Sequence, residues 1–581
     1  MGKTITLFMW GYQPHFRMSL EFHAKRVIQA IAPIIEPKAL LVGIRTLEKT
    51  DGYQVCVEPE DEGWDPKIFF KCAIRTEEIY KDHPDQNIIY GDEPRMRDKP
   101  ENIRKKSVRE AVQEVVSKYD SQHETLTFCG WPTRVEGYYV VPILQFDKAQ
   151  LLEYPHLSDR IRLDRWESST GLIQSVIECL LEEATDALEK KEPGRFFGTF
   201  PDENSSILRK AGKDFCYAIT LATGDVSLQN IFDVLNNISS LPYEGGGAIG
   251  SMIFCSANEQ QLRMQVQLKD KISIYNHRLA RKMVEISGKD LLCVCQGSSK
   301  FPGVNNGIVG FGILQSIDAN NVFRIDFIGR YKWDLYYGNN LLMNVAYGIP
   351  SLPLPRINEN VFRSDVKRII SDISKEGEER TWDVVQAAIA QKKGTMIVIS
   401  TNAEAEAGRL KKQCLVINPT EMTAELVLRL SGIDGAILID SSGICHAVGV
   451  ILDGKATDEG DQSRGSRYNS AIRYIASSEY PTICIVVSED GHVDVLPKLL
   501  PKIDKSMILK MMEMVKSANK EDYNKAIYWF DEHRFYLTKE QCHIVNIELE
   551  RIKNAPMEVG EIRLIINPFV PCPGMNESYY L

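Results

Sequence analysis

Apolar residues recur in two rhythms along this chain, and the rhythm changes several times. Short runs such as "ALLVGI", "YQVCVE", "TLTFCG" and "YYVVPILQF" predict strands, as does "ITLFMW" near the start. Residues 20–33, 102–117 and 170–190 carry the helical period, and "EKKEPG" after the last is a stop signal. The polar, proline-containing residues 74–101 predict a long loop. A second block alternates strands "AIGSMIFCS", "LRMQVQLKDKISI", "DLLCVCQG", "GIVGFGIL" and "VFRIDFIG" with a helix over 276–287. Its glycine clusters, Glu244–Gly250 and Pro302–Gly312, read as turns, because no Gly-Lys-Ser/Thr follows either. "YGIPSLPLPRINEN" (Tyr347–Asn360) reads as a linker.

A third block follows a helix over 363–375. It runs helix "WDVVQAAIAQ", strand "TMIVIS", helices "AEAEAGRL" and "MTAELVLRL", strands "GAILID" and "CHAVGVIL", a helix, then strands "ICIVVS" and "HVDVLP". Helices over 505–518, 521–533 and 538–551 and a strand "EIRLIINPF" close the chain. The pattern predicts a mixed α/β multidomain protein. Its parts are an α/β domain at 1–195, a β-rich α/β domain at 196–345, a linker and helix at 346–380, a mixed sheet flanked by helices at 381–500, and an extension at 501–581.

Composition narrows the class. The chain has 581 residues, enough for about three or four domains. A net charge of −10 argues against nucleic acid or an anionic membrane as a general partner. The 13 cysteines have no framework spacing, and Cys216, Cys255 and Cys484 sit in apolar runs, so they read as buried side chains in a reducing cytoplasm. Cys293 and Cys295 form a lone C-x-C without a partner pair. No apolar stretch is long enough to span a bilayer. The acidic turn Cys56–Trp64 reads as solvated, and His446 as a structural or pocket-lining side chain.

The chemistry concentrates in "GDQSRGSRYNSAIRYIASS" (Gly460–Ser478). Tyr468, Ala471, Ile472 and Ile475 give one apolar helical face, with Ser466 placed as the N-cap. A helix N-terminus beside Gly465, Arg464 and Arg467 suits a phosphate. Two further pieces stand at strand ends: Asp434, Gly435 and Ala436 before "ILID", and Ser488, Glu489 and Asp490 after "CIVV". Two acidic groups and a basic helix N-terminus can hold a divalent cation and a polyphosphate together.

In that order, "KKGTMIVIS", "DGA", "GSR" and "VVSED" resemble the diadenylate cyclase domain, the nucleotide-binding module of the DNA-integrity-scanning cyclases and their relatives. The resemblance covers about 381–498. It implies one ATP per module, two modules face to face, and attack of each 3′-hydroxyl on the other ATP's α-phosphate to give cyclic di-AMP and pyrophosphate. It implies that Asp434 acts on the hydroxyl and, with Glu489, binds Mg²⁺ or Mn²⁺. Gly435 and Ala436 would lie against the nucleotide, and Gly465, Ser466 and Arg467, with Arg464, Tyr468 and Asn469 around them, would hold phosphates. The chain departs from the family's Gly-Thr-Arg-His-Arg at Ser466, Tyr468 and Asn469, and carries Ile433 where some relatives have a histidine. Losing an arginine at Asn469 removes a full charge, and Arg464 is placed to substitute. The expectation is a sensor-regulated cyclase acting on ATP as a homo-oligomer, its signal unspecified. The alternative is a catalytically silent nucleotide-binding sensor.

Overall fold

The computed structural model describes residues 7–581 apart from 61–64, 164–165, 196–197, 202, 224–229, 256–260, 289, 297–306, 315–321, 354–356, 392–393, 456–464, 489–492, 517–519 and 555–565. The chain is mixed α/β, as the pattern predicts, and forms two compact units, Met1–Leu354 and Pro355–Leu581.

Among the described residues the first unit contains two larger sheets and a two-stranded one, Arg162–Leu163 with Trp166–Glu167. In one, Val55–Glu58, Lys38–Arg45, Tyr138–Asp147 and Thr125–Cys129 lie side by side, and Thr133–Val135 also pairs with the long strand. Helix Gln13–Gln29 packs on Lys38–Arg45, and Leu172–Leu188 on Tyr138–Asp147. The second sheet has eight strands and includes Lys332–Tyr337 and Asn340–Ala346, which the aromatic "GRYKWDLYYGNN" did not signal as strand. Helix Asn204–Thr223 packs against both Leu172–Leu188 and the edge strand Ile349–Ser351, so one apolar core runs from Leu7 to Leu352. The expected linker therefore gives its first residues to a sheet, with Pro350 on the edge, where no ladder bond is lost.

Two further expectations change. Leu7–Trp10 is not a strand: the Gln13 side chain accepts from the Met9 amide at 2.6 Å and donates to the Leu7 carbonyl at 3.2 Å, satisfying backbone groups that a neighbouring strand would otherwise meet. Residues 74–101 are not one long loop but part of a helical hairpin: most of Cys72–Asp82, the short turn Pro84–Asn87 and the start of Glu93–His123. Cys72, Thr76 and Ile79 make a buried stripe, while the polar residues pair between the helices, Arg75 donating twice to Glu114 at 2.8 Å. Their polarity marks a solvated helix face. At the chain's end, the described part of "EIRLIINPF" forms no strand.

In the second unit a six-stranded sheet runs Leu415–Glu421, Ile444–Val450, Ala436–Asp440, Thr395–Ser400, Thr482–Val487, Val493–Leu496. Thr395–Ser400 and Ala436–Asp440 pair in parallel, and the other neighbours are antiparallel. Alternation explains the layers. Ile397, Ile399, Ile437, Ile439, Ile483 and Ile485 point to one face with Val384, Val385 and Val427. Met396, Val398, Leu438, Cys484 and Val486 point to the other, with Ala403, Ala407, Ala471 and Tyr474. A strand covered on both sides reads as a continuous apolar run, which "TMIVIS" and "TICIVV" do. Helices Lys505–Lys516, Lys520–Glu532 and Lys539–Lys553 build a separate cluster.

A candidate nucleotide site at one end of the sheet

Register brings the motifs together. Met396 pairs with Ala436 on one side and with Val486 on the other. The turn leading into Ala436–Asp440 therefore lies at the same end of the sheet as the exit from Thr482–Val487, where Ser488 follows. Helix Ser466–Ser477 packs on the Thr482–Val487 strand and its N-terminus reaches this end: Arg467 Nη2 stands 3.9 Å from Asp434 Oδ1. Asp434 is fully exposed and Arg467 about one-third exposed. Glu489 and Arg464, both proposed from sequence, fall outside the described residues.

The N-cap is Gly465, in extended conformation, and Ser466 is the first helical residue, so the expected serine cap is corrected by one position. Among the described residues no side chain caps this end, and the Asn469 amide closes the first turn on the Gly465 carbonyl. A helix leaves its first amides without intrahelical partners and carries partial positive charge there. Among the described residues nothing lies within 4 Å of a Cβ added at Gly465.

Gly435 has φ +103°, and a Cβ there would stand 2.4 Å from the Gly449 backbone. The glycine is required by strand-to-strand approach, with Gly449 itself at φ +63°. Ala436 is buried and begins the strand.

The helix is fixed from behind by a polar network. Tyr474 donates its hydroxyl to Glu406 at 2.6 Å, Arg409 binds Glu406, and the same arginine grips Asp453 at 2.6 and 2.9 Å. Burial raises the Glu406 carboxyl, but its bonds from Arg409 and Tyr474 outweigh that and hold it below its ordinary value. Burial, followed by the bond to Glu406, pushes the Tyr474 hydroxyl well up. Gly454 completes the clamp, since a Cβ there would meet the Arg473 backbone at 2.5 Å.

Two residues at this end were missed by sequence reasoning. Lys498 places its ammonium 5.6 Å from the centre of the Tyr468 ring while pairing with Asp494 at 3.1 Å. Thr395, buried at the start of its strand, has a hydroxyl without a hydrogen-bond partner among the described residues. No local motif marks either; only the register places them here. His446 is remote, because it donates to or accepts from Asp440 at 2.8 Å at the opposite end of the sheet.

Residues 383–498 match the family model described as DisA bacterial checkpoint controller nucleotide-binding. This segment is a DAC domain. Residues 9–216 and 229–339 match two further models, described as probable sensor domain DACNG and probable sensor domain DACNH. The DAC domain thus follows two sensor-type domains, the first of which extends past the boundary expected at residue 195. Among solved structures the chain is similar to DacA from Staphylococcus aureus in a double-mutant form, at 20% identity over 24% of this chain and 96% of that one, with a TM-score of 0.19. It is also similar to a hypothetical membrane spanning protein from Bacillus cereus, at 24% identity over 22% of this chain, with a TM-score of 0.19. The chain spans 64% of that second structure, just under two thirds. No curated protein matches the chain. Among the described residues no helix is long and apolar enough to cross a membrane.

Proposed function

We propose that the DAC domain condenses two ATP molecules into cyclic di-AMP, or a closely related cyclic dinucleotide, with release of pyrophosphate. The observation that carries this reading is the meeting of Asp434 with Arg467 at the N-terminus of Ser466–Ser477. A carboxylate and an anion-binding helix end then face one small volume, which is what a hydroxyl attacking a phosphate requires.

In this reading Gly465, Ser466 and Arg467 hold the phosphates through amides, hydroxyl and guanidinium. Asp434 orients the 3′-hydroxyl and accepts its proton. The Gly435–Ala436 backbone lines the nucleotide. Lys498, beside Tyr468, restores some of the positive charge that an arginine at Asn469 would supply, together with Arg464. Each module binds one ATP, so two modules of a homo-oligomer must face each other.

The resemblance implies Mg²⁺ or Mn²⁺, and the exposed Asp434 carboxylate is a suitable hard-oxygen donor. Among the described residues no three His, Cys, Asp or Glu side chains gather as a metal site. The cation would therefore be held by Asp434, by Glu489, and by substrate phosphates. When bound it neutralises triphosphate charge.

Purified protein incubated with ATP and Mg²⁺ or Mn²⁺ should yield a cyclic dinucleotide and pyrophosphate, identified by mass spectrometry. The substitutions at Tyr468 and Asn469 favour the second reading, a silent nucleotide-binding module. ATP binding without product under either metal would select it.

A further inference from the structure

Two tyrosines of the first unit stand at turn positions that ordinarily take a smaller residue. Tyr347 and Gly348 make the two-residue turn between Asn340–Ala346 and Ile349–Ser351, with φ +53° and +73°. Such a turn favours Asn-Gly. Tyr331 closes the turn between Phe323–Gly329 and Lys332–Tyr337 at φ +59°, where glycine is usual. A bulky side chain in this left-handed region costs stability. Burial does not offset that cost, because Tyr347 is 65% exposed and Tyr331 37%. The turns are tied together, the Tyr347 amide donating to the Tyr331 carbonyl at 2.8 Å, and the rings stack with centres 5.6 Å apart. Two hairpins thus hold an aromatic platform out to solvent.

The platform borders a groove of about 810 Å³. Helix Asn204–Thr223 lines it with Ser206, Arg209 and Lys213, which share one helical face, and helix Ile231–Ser240 lines it with Asp233, Asn236 and Asn237. The first helix lies mostly in the DACNG-type segment and the second in the DACNH-type segment, so the groove sits where the two sensor-type domains meet. Its charges are mostly paired: Lys213 with Asp233 at 2.8 Å, Lys210 with Glu182 at 2.5 Å, while Glu203 accepts from the Ser205 hydroxyl. Arg209 has no carboxylate partner among the described residues. The Asn236 amide is oriented from behind. The buried Trp333 indole can only donate, and it gives its N–H to Asn236 Oδ1 at 2.9 Å. Asn236 Nδ2 therefore faces away from Trp333 and toward the Tyr347–Gly348 turn, 3.9 Å from where a Cβ on Gly348 would stand. Among the described residues no acceptor takes this amide, and it is not sealed from solvent.

We propose that this groove binds a nucleoside monophosphate, with its base stacked on the tyrosine platform and its phosphate on Arg209. Each part of such a molecule has a counterpart. Stacking needs an open ring face, which Tyr347 offers. Asn236 Nδ2 donates to an acceptor on the base or the sugar. One unpaired cation suits one phosphate, and Glu203 and Asp233 oppose the further charge of a triphosphate. The volume falls within the range of ligand sites, and a junction between domains is a common place for one. The inference is independent of whether the DAC domain turns over ATP.

The test is calorimetric titration of the full-length protein with AMP, GMP, CMP and UMP. Saturable binding of at least one is expected, and it should survive Arg467→Ala, which separates it from the site proposed in the DAC domain. Tyr347→Asn puts the favoured residue in the turn and removes the ring. It should weaken binding about fivefold or more while the melting temperature holds or rises. Arg209→Gln should weaken binding about tenfold or more. Adenosine and ribose phosphate, each carrying half of the ligand, should bind at least about fivefold more weakly than the nucleotide. The proposal is overturned if no nucleoside monophosphate binds at millimolar concentration, if Arg467→Ala abolishes the binding, or if Tyr347→Asn and Arg209→Gln leave it undiminished. It is overturned equally if ribose phosphate or indoleacetate binds as tightly as the nucleotides.

Discussion

The helical hairpin around Thr76 and the sheet end beside Asp434 both set arginine against carboxylate, and they do so in opposite ways. Arg104 is 13% exposed, hydrogen-bonded to Glu77 and laid on Tyr80. Asp434 stands in solvent with Arg467 3.9 Å away, beyond hydrogen-bond distance. Of these charges the Arg104 guanidinium is the one largely shielded from solvent, and a shielded charge in a hydrogen-bonded pair is less screened than an exposed one. An exposed, loosely spaced pair contributes little to stability. Rigidity at the second site comes from elsewhere, through Tyr474, Glu406, Arg409 and Asp453 behind the helix. The first site is organised by its own charges; the second is organised by its scaffold.

The comparison is tested most severely at Asp434. Asp434→Asn should lower turnover by about a thousandfold or more, because it removes the group proposed to act on the attacking hydroxyl. ATP affinity, read by calorimetry, should change by no more than about threefold, and thermal unfolding should be unchanged because the carboxylate is exposed. A variant that unfolds early would mean that the exposed pair is structural after all.

A smaller effect is expected one residue across the gap. Arg467→Ala should weaken ATP binding about ten- to a hundredfold, the worth of one charge-assisted hydrogen bond. Retention of wild-type affinity would move the phosphate site away from this helix end.

The smallest effect sharpens the scaffold side. Bonds from Lys367 and then Arg363 hold Glu378 below its ordinary 4.5, and Arg409 holds Asp453 below 3.8, with Glu406 lowered as well. A carboxyl lowered in the fold adds stability that is complete above its ordinary value and disappears as pH falls through the folded value. Asp365, raised by burial, works in the other direction. Across the chain the lowered carboxyls, which also include Asp85, Glu114 and Asp504, outnumber the raised ones, Asp365, Asp214 and Asp334, so urea unfolding of the full chain is expected to be flat between pH 7 and about pH 5 and to weaken below that. Undiminished stability down to about pH 3 would show that the network does not anchor the unit.

Much of the fold was legible because its signal is local. The covered strands "TMIVIS" and "TICIVV" carry their burial in an unbroken apolar run, and Ser466–Ser477 carries its face in Tyr468, Ala471, Ile472 and Ile475. The edge strand Leu415–Glu421 was missed for the converse reason. It is mostly exposed, so no apolar period marks it, and only pairing with Ile444–Val450 makes it a strand. The hairpin from Cys72 was missed because its exposed faces read as loop until Arg75 finds Glu114.

The sequence alone determined which segments are periodic, which residues could meet a phosphate, and the order of motifs that marks a DAC domain. Those depend on neighbours along the chain, through backbone geometry and side-chain chemistry. Tertiary structure alone decided that Asp434 and Arg467 share one end of a sheet, that Lys498 joins Tyr468 there, that Gly435 makes room for Gly449, and that Thr76 is buried. These are facts of register and burial. They are set when distant segments compete for the same buried surface, and no window along the chain contains both competitors.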